Sequence, residues 1–112
     1  MTQQAPKGSP EVAYTSLAVP QYNRHRKRLS PAVRKALNDV QAAILKDPRR
    51  GDPKGGALKG VYVEKFPAEN DQWLVAYQID DKEDSVTFLA VGQHENFYRD
   101  LIRYRRETGA AR

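Results

Sequence analysis

Three stretches in the second half of the chain alternate apolar and polar residues with period two. In the first, Val61, Val63 and Lys65 fall on one face, with Tyr62, Glu64 and Phe66 on the other. In the second, Trp73, Val75, Tyr77 and Ile79 alternate against Leu74, Ala76 and Gln78. In the third, Val86, Phe88 and Ala90 alternate against Thr87, Leu89 and Val91. Short turns over Pro67–Asp71 and Asp80–Asp84 separate them, which predicts an antiparallel meander. The first half has a different period. Val33, Ala36, Leu37, Val40, Ala43 and Ile44 recur at helical spacing. Ser30 is suited to cap that helix and Pro31 to open it, while Asp47–Pro48 ends it, because a residue before proline avoids the α region. Phe97, Leu101 and Tyr104 predict a second amphipathic helix from Glu95 or Asn96, with Gly109 beyond its end. Before the long helix, Val12–Val19 reads as a strand stopped by Pro20, and Gln21–Arg28 as a short, strongly basic helix. Arg49–Gly56 reads as a loop. The order is strand, two helices, three strands, helix. One sheet covered by helices is an α+β fold.

With 112 residues the chain is expected to form one domain, spanning residues 11–107. Residues 1–10 read as a flexible tail and residues 108–112 as a short C-terminal one. A domain of this size buries about two-thirds of its unfolded surface, so each large apolar residue matters. The absence of cysteine excludes disulfide scaffolds, thiolate metal sites and cysteine nucleophiles, and suits a reducing cytoplasm. No apolar run approaches the roughly 18 residues that span a membrane, and the polar N-terminus lacks a signal peptide's apolar core. No membrane partner is expected. The net charge of +5 points to a polyanionic partner, nucleic acid or an acidic protein. Cations gather at Arg24–Arg28, from Arg34 to Lys54, and again at Arg99–Arg106. The acids collect in the two predicted turns. The same charges would also coat solvated helices, so charge alone leaves both readings open.

Three further stretches resemble the RelE/ParE superfamily of type II toxin–antitoxin toxins. Asp47–Pro48 is followed after a short loop by Leu58–Lys59–Gly60. Trp73–Asp80 (WLVAYQID) is similar to that family's middle strand. Leu89–Ala90–Val91–Gly92–Gln93–His94, followed by Glu95–Asn96–Phe97–Tyr98, is the most specific of the three. The resemblance covers Asp47 to about Arg106; the helical first half agrees in layout alone. It implies helices packed on a twisted, mainly antiparallel sheet and a cognate antitoxin as partner. It also implies one of two targets: messenger RNA in the ribosomal A site, or DNA gyrase. No small-molecule cofactor or metal is implied.

Metal-free RNA cleavage requires a base for the 2′-hydroxyl, a cation for the phosphorane and an acid for the leaving 5′-oxygen. The resemblance assigns these roles to basic and aromatic residues after the last strand and on the sheet. His94 follows the strand end, and an imidazole's ordinary pKa of about 6.5 suits acid or base work. Tyr98, four residues on, would orient or stack on the substrate. Lys65 resembles the strand lysines that relatives direct at the phosphate, although alternation leaves open whether Lys65 or its neighbour Glu64 faces the cleft. Lys54, Lys59, Arg99 and Arg103 are candidate RNA contacts. The structural alternatives are a helix-capping histidine, a half-buried tyrosine and solvated cations. His25, within a basic run, reads as a surface residue. Where many relatives carry an arginine after the middle-strand aromatic, this chain has Leu74, which cannot stabilise a phosphorane. The leading expectation is therefore a ribosome-dependent mRNA endonuclease working through His94 and a 2′,3′-cyclic phosphate. The alternatives are a non-catalytic gyrase inhibitor, or a decayed toxin that only binds.

Overall fold

A computed structural model describes residues 13–109, so the tail expected over residues 1–10 lies outside the described residues. The elements are β1 (Thr15–Ala18), α1 (Pro20–Lys27), α2 (Pro31–Lys46), β2 (Asp52–Pro53), β3 (Val61–Ala68), β4 (Asp71–Asp80), β5 (Ser85–Gly92) and α3 (His94–Tyr104). Past α3, Arg105–Gly109 forms a single π-helical turn. The strands make one mixed sheet in the order β1-β5-β4-β3-β2, with β1 parallel to β5 and the other pairs antiparallel. The α+β fold and its three-strand meander are as the periodicity predicts.

The helical stripe packs one face of the sheet. Val33, Leu37, Val40 and Ile44 are buried together with Phe66, Val75, Tyr77, Phe88 and Val91. Ser30 caps α2, its Oγ accepting from the Val33 N–H at 3.2 Å. On the opposite face Phe97 and Leu101 of α3 are buried against Val61, Val63, Leu74, Ala76, Leu89 and Ala90.

The strands run further than alternation suggests. Pro67 lies within β3, and the turn is only Glu69–Asn70, both left-handed at φ 52° and 61°. Two such residues give the twist that a tight hairpin needs. The third strand breaks period two. A register shift opposite Ala76/Tyr77 places Leu89 and Ala90 both on the α3 face and returns Val91 to the α2 face. Strict alternation put Ala90 with Phe88 and Val91 with Leu89. The extra bulge residue reverses that assignment.

Two contacts finish the sheet at its edges. The phenol of Tyr77, fully buried, donates to the Pro48 carbonyl at 2.6 Å and accepts from the Gly51 N–H at 3.0 Å. It thereby fixes the turn after α2. A Cβ at position 51 would lie 2.3 Å from that oxygen, so the turn needs glycine there. β2 follows directly, inside the expected Arg49–Gly56 loop. At the other end β1 stops beside Phe88, and side chains of α1 take over the exposed edge of β5. Gln21 donates to the Leu89 carbonyl at 3.2 Å, and the Val91 N–H donates to His25 Nδ1 at 3.3 Å. His25 is thus not the surface residue expected of it. Its side chain is 12% exposed, with Nε2 3.9 Å from Asp100. Gln21 and His25 stand one helical turn apart on the face that docks on β5.

Tyr77→Phe should lower stability by about 1–3 kcal/mol, because it leaves the Gly51 N–H and Pro48 carbonyl buried without their partner; urea unfolding of both proteins measures it. His25 gives a pH signature. Burial lowers its pKa, opposed by Asp100 and assisted by Arg28 and Arg24. The unfolded chain therefore binds the proton first as pH falls below about 6.5. Stability should be fully present above that pH, decline below it, and stop declining once the folded histidine protonates. His25→Gln should flatten this part of the profile, read as urea midpoints between pH 7.5 and 5 (a range of roughly two to three units about the ordinary value).

Candidate functional site

Three of the candidate residues converge at the edge of β3 that no described strand covers beyond β2. β2 covers that edge only beside Tyr62 and Val63, so Glu64 and Lys65 line an open cavity of about 310 Å³ with Arg50, Lys54 and Tyr98. The Lys54 N–H donates to the Val61 carbonyl at 2.9 Å, which seats the residue at the mouth. Its ammonium donates to Asp52 at 3.0 Å and lies 5.7 Å from the centre of the Tyr98 ring. The hydrogen bond to Asp52 is the main reason its pKa is raised; proximity to Tyr98 adds to it. Lys54 is therefore a stable cation over an aromatic face.

His94 opens α3, so Tyr98 lies one turn below it on the same side of the helix. The two rings meet edge to face at 5.3 Å, with planes at 68°. Phe97 meets Tyr98 from another side at 5.0 Å and 85°. The tyrosine is thus clamped between core and imidazole. A fixed phenol and two lysines line the cavity, and the exposed His94 ring stands against the phenol rather than among the lining residues. Such a group can bind an anion and exchange a proton beside it.

The cavity also contains residues that sequence reasoning missed. Arg50 donates through Nε to both Glu64 oxygens at 2.9 Å, and its Nη2 lies 2.7 Å from Oε2. The choice posed between Glu64 and Lys65 does not arise. The cavity wraps the strand edge and takes in both faces. Glu64 is held by Arg50, leaving Lys65 exposed. Arg50 carried no signal beyond its place in a basic Gly/Pro loop.

The other candidates lie elsewhere. Lys59 is exposed in the turn before β3, where its carbonyl accepts from Arg105 Nη2 at 3.2 Å. Arg99 and Arg103 line a separate depression of about 350 Å³ with Ile102 and Arg106. Leu74 is 2% exposed and sits between Lys65 and Gly92 in a cross-strand row beneath α3. Among the described residues no group of three or more His, Cys, Asp or Glu side chains is placed to hold a metal ion. No described helix is long and apolar enough to cross a membrane.

A second cleft, of about 280 Å³, lies across the start of α3 from the first. His25, Arg28, Trp73, Gln93, Asn96 and Asp100 contribute its polar and aromatic lining.

Comparison with known proteins matches residues 17–102 to a family described as the ParE-like toxin of type II bacterial toxin-antitoxin systems. Among solved structures the chain is similar to a mutant of the E. coli toxin RelE in the free state. The TM-score is 0.68 at 21% identity, over 83% of this chain and 98% of that one. It is similar to the intact E. coli RelBE toxin–antitoxin complex, with TM-score 0.62 at 23% identity over 74% and 99% of the two chains. A RelBE complex from Mycobacterium tuberculosis gives TM-score 0.61 at 25% identity over 77% and 97%. No curated protein sequence matches the chain.

Proposed function

The chain belongs to the ParE-like toxins of type II bacterial toxin–antitoxin systems, within the RelE/ParE superfamily, and from that premise we propose that it is a ribosome-dependent mRNA endonuclease. The observation that supports this reading is the convergence of Lys54, Lys65 and Tyr98 on one cavity, with the His94 ring against Tyr98. In the proposed reaction the 2′-hydroxyl loses its proton to a base and its oxygen attacks the adjacent phosphorus. The bond from phosphorus to the 5′-oxygen breaks, that oxygen takes up a proton, and a 2′,3′-cyclic phosphate remains. His94 acts as the general acid or base. Lys65 and Lys54 offset the charge that builds on the phosphorane, and Tyr98 orients or stacks on the nucleotide. Lys59, Arg99 and Arg103, outside the cavity, would serve only to steer the polyanion. The partner in the resting cell is a cognate antitoxin. The toxin–antitoxin complexes among the similar structures support that assignment.

A second reading has its own observation. Leu74 is buried beneath α3, so no arginine of β4 reaches the cavity at that position. A chain without that cation would suit a non-catalytic inhibitor of DNA gyrase, and the ParE-like family match is consistent with it.

Inducing the protein in bacteria and mapping RNA 5′ ends against ribosome position separates the two. New ends within translated messages are expected. His94→Ala should reduce them by about 10²–10⁴-fold, the usual worth of a general acid or base, while the melting transition stays cooperative. Intact messages together with a DNA-damage response would instead support the gyrase reading.

A further inference from the structure

The second cleft is chemically unlike the first. Its aromatic wall is Trp73, half-buried, with the indole N–H committed to the Ala68 carbonyl at 3.1 Å. That bond holds the ring in place, so it offers a rigid stacking surface at no ordering cost. Gln93 and Asn96 stand exposed at the mouth, and neither amide is hydrogen-bonded to a described residue. Each carries both donors and acceptors. Deeper in, the Asp100 carboxylate is 27% exposed, with Oδ2 3.9 Å from His25 Nε2 and Oδ1 3.8 Å from Arg99 Nε; both separations exceed hydrogen-bond length, so it keeps acceptor capacity towards the cleft. At the rim Arg28 is exposed and makes no ion pair with a described residue. A fixed aromatic wall, two amide groups, a carboxylate acceptor and an exposed cation that has no ion pair among the described residues together match a nucleotide. The ring takes the base, the amides and carboxylate its edge, and the arginine its phosphate.

The position of the cleft agrees with this. Lys65 pairs with Leu74 and Leu74 with Gly92, so the row links the first cavity to the second across two strand spacings, roughly 10 Å. The first turn of α3 is the wall between them. Tyr98 faces one side and Gln93 and Asn96 the other, with His94 between. A single strand held at the first cavity can pass over His94 and place a neighbouring base in the second.

We infer that the cleft between α1 and α3 is a base-binding subsite for single-stranded RNA, taking a nucleotide that flanks the one held beside His94 and preferring a base with an exocyclic amino group. The inference rests on the endoribonuclease reading for its biological role, but its binding test does not require cleavage. Trp73 is the only tryptophan in the chain, so its fluorescence reports from the wall of this cleft. The full chain is titrated with 2′-O-methylated trinucleotides, which lack the attacking hydroxyl. Saturable quenching is expected, weaker for an all-uracil trinucleotide than for those with adenine, guanine or cytosine. Asn96→Ala and Arg28→Ala should each weaken binding roughly tenfold, equivalent to about 1.4 kcal/mol. Lys35→Ala, which removes an equal charge from the far side of α2, should leave it nearly unchanged. No saturable quenching, quenching indifferent to Asn96 and Arg28, or quenching by the antitoxin but by no trinucleotide would each overturn the proposal. Quenching without any cutting of messages in cells would uphold the subsite and sink the endonuclease reading. Cutting without quenching would do the reverse.

Discussion

Much of the arrangement at the cavity hangs on one buried phenol. Tyr77 sits at the centre of the sheet, and its oxygen both donates to Pro48 and accepts from Gly51. Those two bonds satisfy backbone groups that would otherwise be buried unpaired in the turn leaving α2. The turn is held so tightly that only glycine fits beneath the ring. From that fixed point the chain runs directly through Arg50, Asp52 and Lys54. A core contact thus determines where three polar side chains of the cavity begin. The candidate chemistry on the surface inherits its geometry from packing inside.

The two faces of the sheet divide the labour. α1 and α2 cover one face and supply most of the core, while α3 covers the other and brings His94 and Tyr98 to the edge. α1 also acts where a strand is missing. Gln21 and His25 use side chains to meet backbone groups of β5 beyond the end of β1, a substitution of side-chain bonds for a ladder. His25 then reaches Asp100 on α3. One imidazole touches elements on both sides of the sheet, so its protonation bears on how the two layers sit together.

Much of the fold was legible because its signals are periodic. The α2 stripe, the Ser30 cap, the Pro48 stop and the first two alternating runs each state a local preference that packing did not override, and the third holds as far as Phe88. What stayed hidden was non-local. β2 is two residues long and follows a turn that the Tyr77 phenol holds from β4. The bulge at Leu89–Ala90 depends on pairing with Ala76 and Tyr77, which no window of β5 alone contains. His25 reads as surface because its neighbours are basic and exposed; its burial depends on an edge that β1 fails to cover. At the cavity, Lys65 and Tyr98 were visible as residue types at the right spacing, as was His94 beside Tyr98. Arg50 and Asp52 were not, since a salt bridge across the strand edge leaves no trace in sequence order. Leu74 was noticed as a departure, and its burial beneath Phe97 and Leu101 gives the departure a structural reason.

The proline inside β3 has a consequence for how this molecule behaves among copies of itself. The two-residue turn makes Ala68 and Asp71 a hydrogen-bonded pair, so Pro67, one step back, directs its backbone away from β4 and onto the uncovered rim. That is the position where a missing N–H removes a docking point for a foreign strand. Lys65, two residues earlier on the same rim, adds a charge that a second copy would have to bring up against its own. A ligand cavity needs an open sheet edge, and an open edge invites stacking into fibres. Proline and lysine on alternate residues leave that edge poorly suited to pairing with another sheet while the cavity beside it stays open.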